Sequence, residues 1–207
     1  MASRAAPERF NAVSAASNDH ATASQASPSE PRFAQWSPQR IAAYKDSLAT
    51  KKDLPLAILR IPKISLEVPV FNDTDDLTLN RGVGRILGTA QIGQRGNVGI
   101  AGHRDGFFRG LKDVAPNDSI ELVRPGHTDH YVIIGIQIVN PDNVHVLDAT
   151  AEPNLTLVTC YPFYFVGSAP QRYVVTATMQ ISSQSVEDAN KSSIPKGQKI
   201  NKQEKIR

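Results

Sequence analysis

Leu56-Ala57-Ile58-Leu59-Arg60-Ile61, then Pro62-Lys63, then Ile64-Ser65-Leu66-Glu67-Val68-Pro69-Val70 is the passage that decides the fold. Two short aliphatic, β-branched runs split by a Pro-led turn read as consecutive strands, because neither run is long enough for a helix. The same signal recurs at Arg85–Thr89, Asn97–Gly102, Ser119–Val123, His130–Ile138, Asn154–Cys160 and Arg172–Thr178, with turn residues between the runs. That makes about eight strands. Only short helical pieces interrupt them, near Asp76–Asn80 and Phe107–Lys112, so alternating βαβ units do not fit. The pattern predicts a mainly β fold, a closed eight-stranded barrel, because closure removes exposed strand edges.

Upstream of the strands, Ser37-Pro38 is a helix-start signature: Ser as N-cap, and Pro at the first helical position, where its missing N–H costs nothing. Ile41, Tyr44 and Leu48 follow at helical spacing, which predicts a helix near residues 38–50 laid on the domain by one apolar stripe. Residues 1–30 contain nine Ala and six Ser but only Met1, Phe10 and Val13 as large apolar groups, too few to offset the entropy of ordering. Residues 184–207 are polar and Lys-rich, with Pro195 and Gly197 interrupting any helix. The expected organisation is a disordered segment at 1–35, a barrel domain with its leading helix at 36–180, and a disordered basic tail at 181–207.

Charge follows the same division. Of the 23 Lys and Arg and 20 Asp and Glu, residues 54–180 hold ten and twelve, so the strand-rich part is slightly acidic and the net +3 belongs to the ends. A nucleic-acid-binding fold would show a basic stripe on its ordered surface, and no nucleic-acid partner is expected. The single cysteine excludes an intramolecular disulfide, a CxxC redox pair and a zinc knuckle. No apolar run approaches the roughly 18 residues of a membrane helix, and the chain as given is expected to be soluble.

Three residues carry candidate chemistry. Alternation along Leu155-Thr156-Leu157-Val158-Thr159-Cys160 puts Thr156, Val158 and Cys160 on one face and Leu155, Leu157 and Thr159 on the other. Cys160 comes last, before Tyr161-Pro162, where its thiol can meet solvent or substrate; packing as a small hydrophobe is the other reading. His103 ends the run Asn97-Val98-Gly99-Ile100-Ala101-Gly102 and opens a Gly-flanked turn, a common way to present a catalytic imidazole, although an isolated His at a strand end is more often a surface group. Asp105 reads as a cap for the Phe107 helix or as an orienting partner for His103. Arg172 opens the last strand; its permanently charged guanidinium can hold a developing oxyanion or serve as a surface ion-pair partner. Between Cys160 and Arg172, the segment Tyr161-Pro162-Phe163-Tyr164-Phe165-Val166-Gly167 holds four of the chain's thirteen aromatics, which suggests a lid or a wall for an apolar peptide side chain. Thr159, Tyr161, Phe163, Tyr164 and Phe165 are therefore candidate substrate-binding residues.

Thr156-Leu157-Val158-Thr159-Cys160 resembles the TLxTC signature of sortases, the cysteine transpeptidases of the bacterial cell envelope. Ala101-Gly102-His103-Arg104-Asp105 is similar to their catalytic histidine segment, and Arg172 lies twelve residues past the Cys, where the family's arginine belongs. The likeness extends over residues 54–178, and Phe107-Phe108-Arg109-Gly110-Leu111 and Cys160-Tyr161-Pro162-Phe163 are closest in appearance to class D. The resemblance implies that a Cys160 thiolate paired with a His103 imidazolium attacks the Thr carbonyl of an LPxTG-like sorting signal on a surface protein. Arg172 would hold the oxyanion or the substrate backbone, and an amine from a peptidoglycan precursor or a pilin would resolve the thioacyl-enzyme. It also implies a location at the outer face of the cytoplasmic membrane, in the periplasm or at the cell surface. An N-terminal apolar anchor is usual in the family and is not found in this sequence. Asn72-Asp73-Thr74-Asp75-Asp76 can be read as calcium ligands, since some sortases bind that ion, but EF-hand spacing is missing and a turn before a helix cap explains it as well. No other cofactor or metal is expected. His127 and His130 read as surface residues, and His145 has no role. The rival readings are an L,D-transpeptidase, whose Ser-His-Gly stretch before the Cys is missing here, and a non-catalytic β-barrel binding module, which needs none of the three residues.

Overall fold

The computed structural model describes residues 31, 33–51, 53–164 and 167–180. Of the segment expected as disordered at 1–35, residues 1–30 and 32 lie outside the described residues, as does the whole tail expected at 181–207. Phe33–Gln35, which falls inside the segment expected as disordered, forms a 3-10 turn, and the Phe33 ring sits 5.3 Å from Trp36.

The leading helix is α1 (Pro38–Leu48), capped as anticipated by the Ser37 side chain, which accepts from the Arg40 N–H at 3.1 Å. Its docking differs from the predicted stripe. Tyr44 packs with Trp36 and Phe107, whose rings lie 4.7 Å apart, whereas Leu48 is 49% exposed. Aromatic edge contacts made by Tyr44 in the middle of the helix, rather than an apolar line along its length, hold α1 down.

The strands follow in chain order: β1 (Ala57–Ile61), β2 (Leu66–Phe71), β3 (Val83–Arg85), β4 (Asn97–Ala101), β5 (Ser119–Arg124), β6 (His127–Val139), β7 (Asn154–Tyr161) and β8 (Gln171–Met179). The second helix, α2 (Asp76–Arg81), precedes β3, and Asp75 caps it by accepting from the Thr78 N–H at 2.6 Å. The expected strand at residues 64–70 begins two residues later. Pro62–Ile64 is a 3-10 turn, and Ser65 leaves it at φ 50°, its N–H donating to the Pro62 carbonyl at 2.9 Å. The expected strand at 85–89 is corrected more strongly. Past Arg85 the chain turns, with the Thr89 hydroxyl donating to the Ile86 carbonyl at 2.7 Å and Gly88 at φ 87°, a conformation open to glycine at little cost. Phe107–Asp113 is likewise a 3-10 helix.

The strands close into a barrel in the order β1-β2-β3-β4-β7-β8-β6-β5. Side chains that alternate inward form the core, among them Leu59, Ile61, Val68, Ile100, Leu122, Leu155 and Leu157, all fully buried. Burial of such aliphatic groups contributes about 1.5–3 kcal/mol each, so the interior of the barrel dominates its stability. Two of the pairings are parallel, β2 with β3 and β4 with β7. The second of these positions the candidate site, because parallel strands end on the same side of a sheet.

Candidate active site

The β4–β7 register runs from Asn97 opposite Asn154 to Ala101 opposite Val158. Continuing it, the Gly102 N–H donates to the Val158 carbonyl at 3.2 Å, which aligns the residues after Ala101 with Thr159 and Cys160. On the other side of β7, the antiparallel ladder with β8 sets Cys160 directly opposite Arg172. His103, Cys160 and Arg172 therefore come from three adjacent strands at one end of the barrel. Side chains directly opposite each other share a face of the sheet, so Cys160 and Arg172 project together.

Thr159 locks this register. Its hydroxyl donates to the Gly102 carbonyl at 2.7 Å, tying the residue before Cys160 to the residue before His103. Thr159 is only 2% exposed and lies on the core-facing side with Leu155 and Leu157. The expectation that it touches substrate is corrected: its hydroxyl is committed to the backbone. Gly102 is required by close packing, because a Cβ there would lie 2.8 Å from the Phe108 ring and 2.9 Å from Val83. The turn that follows closes on the His103 carbonyl, which accepts from the Gly106 and Phe108 N–H groups, both at 3.2 Å.

Cys160 is half-buried. The Arg172 guanidinium folds over its own strand entry, one terminal nitrogen donating to the Gln171 carbonyl at 3.0 Å and to Ala169 at 3.3 Å. Among the described residues no hydrogen bond engages its remaining N–H groups, which are free to face a ligand.

The His103 imidazole is half-buried. Burial, reinforced by the nearby Arg40 guanidinium, lowers its pKa from the usual 6.5 to about 4, against the opposing pull of Asp105 and Asp76. His103 is thus an uncharged proton acceptor at neutral pH. A folded-state value below the unfolded one means that the unfolded chain binds the extra proton between about pH 6.5 and 4. Stability is accordingly lost as pH falls through that window. Urea unfolding at pH 7 and pH 4.5 should show a larger loss for the wild type than for His103→Gln; parallel losses would contradict the burial of a neutral imidazole.

Neither expected role of Asp105 is realised. The Phe107 helix has Gly106 at its N-cap without a side-chain cap bond, and Asp105 instead accepts from Arg40 Nε at 3.2 Å. Asn72, Asp73 and Asp75 are similarly engaged by Arg85 Nε and by the Thr74 and Thr78 N–H groups. Among the described residues no cluster of three or more His, Cys, Asp or Glu is arranged to hold a metal. His127 and His130 are exposed beside Asp129 and Glu121, and His145 pairs with Asp148 at the surface.

The aromatic segment after Cys160 divides by burial. Phe163, 6% exposed, packs edge-on against Tyr173 at 5.0 Å, and Tyr161 stacks on Tyr173 at 6.1 Å, so Phe163 belongs to the scaffold. Tyr164 is 73% exposed, with the Arg109 guanidinium 4.1 Å from its ring centre. Phe165 lies outside the described residues. The His103 turn reaches this segment twice: Arg109 donates to the Phe163 carbonyl and Arg104 to the Gly167 carbonyl, the latter at 2.8 Å. The connections from Arg40, Arg104 and Arg109 leave no signal in the sequence, because each joins residues more than fifty positions apart.

A family model described as the sortase domain matches residues 59–180. Sortase D of Bacillus subtilis (strain 168) is 35% identical over 119 residues, which are 57% of this chain and 60% of that protein. Sortase A of Bacillus anthracis is 27% identical over 125 residues, 58% of each. The chain thus spans about three fifths of the length of these relatives. A Clostridium perfringens Sortase D5 transpeptidase superposes with a TM-score of 0.56 at 25% identity, over 68% of this chain and 88% of that one. Sortase C-1 of Actinomyces oris gives 0.58 at 26%, over 70% and 84%.

Proposed function

The chain belongs to the sortase family, and from that premise we propose that it is a cysteine transpeptidase using Cys160 as nucleophile, His103 as acid and base, and Arg172 as oxyanion donor. The substrate is the LPxTG-like sorting signal of a surface protein, cleaved after Thr. The observation that best supports this reading is the pair of registers on either side of β7, parallel to the His103 strand and antiparallel to the Arg172 strand.

The chemistry follows from the charge states. A thiol becomes a strong nucleophile only as thiolate. A neutral His103 takes the Cys160 proton, so the thiolate–imidazolium pair arises by transfer at the moment of attack. The sulfur adds to the Thr carbonyl carbon, and the carbonyl oxygen becomes an oxyanion held by Arg172. Collapse of this adduct re-forms the carbonyl and breaks the peptide C–N bond, and His103 returns its proton to the departing amine. A thioester on Cys160 remains. An incoming amine, from a peptidoglycan precursor or a pilin Lys, attacks the thioester carbon and gives a proton to His103; the C–S bond breaks, His103 passes that proton to the departing sulfur and the thiol is restored, and water in place of the amine gives hydrolysis. The location that suits this reaction is the bacterial cell envelope, at the outer face of the cytoplasmic membrane. No helix among the described residues is long and apolar enough to cross a membrane.

Incubation with a library of LPxTG-like peptides and a set of amine acceptors tests the reading. The expected product joins the peptide up to Thr to the acceptor. If all peptides remain intact with every acceptor, the barrel is a binding module and the enzymatic reading fails.

A further inference from the structure

Arg40 belongs to α1, an element that supplies none of the three reacting side chains. Its guanidinium nevertheless reaches the His103 turn and α2 at once: Nε donates to Asp105 Oδ1 at 3.2 Å and a terminal nitrogen donates to Asn80 Oδ1. The side chain is mostly covered, at 19% exposure, so this contact is not a loose surface pair. Its aliphatic stem packs against the turn itself. A Cβ placed on Gly106 would lie 3.4 Å from Arg40 Cδ and 3.6 Å from His103 Cβ, so the Arg40 stem and His103 border the same gap. The side chain therefore links α1, α2 and the loop that carries the imidazole.

We propose that Arg40 is a positioning residue for the proposed transpeptidation, holding the His103 turn against the two helices and keeping a fixed positive charge beside the imidazole. The inference rests on the assignment of His103 as acid and base. Geometry and electrostatics point the same way. The charged groups that act on His103 are Arg40 on α1, Asp76 on α2 and Asp105 on its own turn; Arg104 is its chain neighbour, and Cys160 and Arg172 stand on the adjacent strands β7 and β8. Of these, Arg40 opposes protonation, and Asp105 and Asp76 favour it. Arg40 also keeps Asp105 occupied. Removing Arg40 thus acts twice in one direction: the repelling charge disappears and a carboxylate is released near the ring.

Two readouts test this. The first is the NMR titration of the His103 ring, assigned by its disappearance in His103→Gln. Arg40→Met should move the midpoint upward, Arg40→Lys should leave it near the wild-type value, and Asp105→Asn should move it downward. The second is the pH profile of peptide acylation. Because small misplacements of a reacting group are costly, Arg40→Met should lose about tenfold or more in kcat with little change in KM, and Arg40→Lys should recover most of it. The acidic limb of the profile should move with the NMR midpoint. An unchanged His103 midpoint in folded Arg40→Met overturns the proposal, as does an equal loss of kcat in the Met and Lys variants. If Arg40→Met does not fold, Asp105→Asn tests the same contact from the other side, and an unshifted midpoint there also overturns it. The titration does not depend on turnover, so inactivity of the wild type toward every peptide would refute the proposed function while leaving the contact testable.

Discussion

Cys160→Ala is expected to abolish acyl-enzyme formation and transpeptidation while leaving the barrel folded. The two halves of this expectation come from different features of the same strand. Cys160 lies on the face of β7 opposite Leu155 and Leu157, and its side chain is half-buried, so loss of the sulfur leaves little cavity. The core of the barrel should not register the change, and thermal unfolding should shift little. The chemistry, by contrast, has no substitute for the sulfur. It is the only thiol in the chain, and a hydroxyl or a bound water gives up its proton to an imidazole far less readily than a thiol, whose reference pKa is about 8.5. Cys160→Ser should therefore be nearly as inactive as Cys160→Ala, even though its size is close to that of the native residue. Turnover by the Ala variant would mean that the bond is cleaved elsewhere or by another group.

His103→Asn is the second large effect. General acid–base catalysis by a positioned side chain contributes roughly 10²–10⁴-fold, and here one imidazole serves both the attack and the departure of the amine. The loss should fall on kcat for acylation. The Thr159 hydroxyl still bonds the Gly102 carbonyl in the variant, so the backbone that carries residue 103 keeps its place beside β7. The remaining activity should climb with pH, because only hydroxide can then remove the thiol proton. The wild type should instead stay level across neutral pH, since its imidazole is already uncharged well below pH 7. A variant whose profile kept the wild-type shape would show that His103 moves no proton in the rate-limiting step.

The fold was legible wherever it depends on local alternation. β1, β4, β7 and β8 fall within a residue of the expected runs: β1 alternates buried and half-buried residues, and β4, buried on both faces, is a short apolar run bounded by turn residues. β3 was misplaced because Ile86 and Leu87 look like strand residues, yet Thr89 and Gly88 close a turn around them. The parallel pairing of β4 with β7 depends on contacts between distant residues and carries no local signature. It is nonetheless the feature that sets the turn carrying His103 beside the end of the strand carrying Cys160. Two site expectations failed for related reasons. Thr159 shares a strand face with Leu155 and Leu157, and that alternation already indicated burial. Asp105 could be placed near His103 from sequence, but its partner Arg40 arrives from a separate helix.

The central claim is that the sulfur of Cys160 carries the acyl group. Its most direct test is mass spectrometry of the intact protein after mixing with a reactive LPxTG-like peptide, followed by fragmentation. The predicted result is a mass increase equal to the peptide up to Thr, less one water. It should reside on Cys160, be released by hydroxylamine or an amine acceptor, and be missing from Cys160→Ala. Cleavage of the peptide without that adduct in any rapidly quenched sample, or an adduct on another residue, would contradict it.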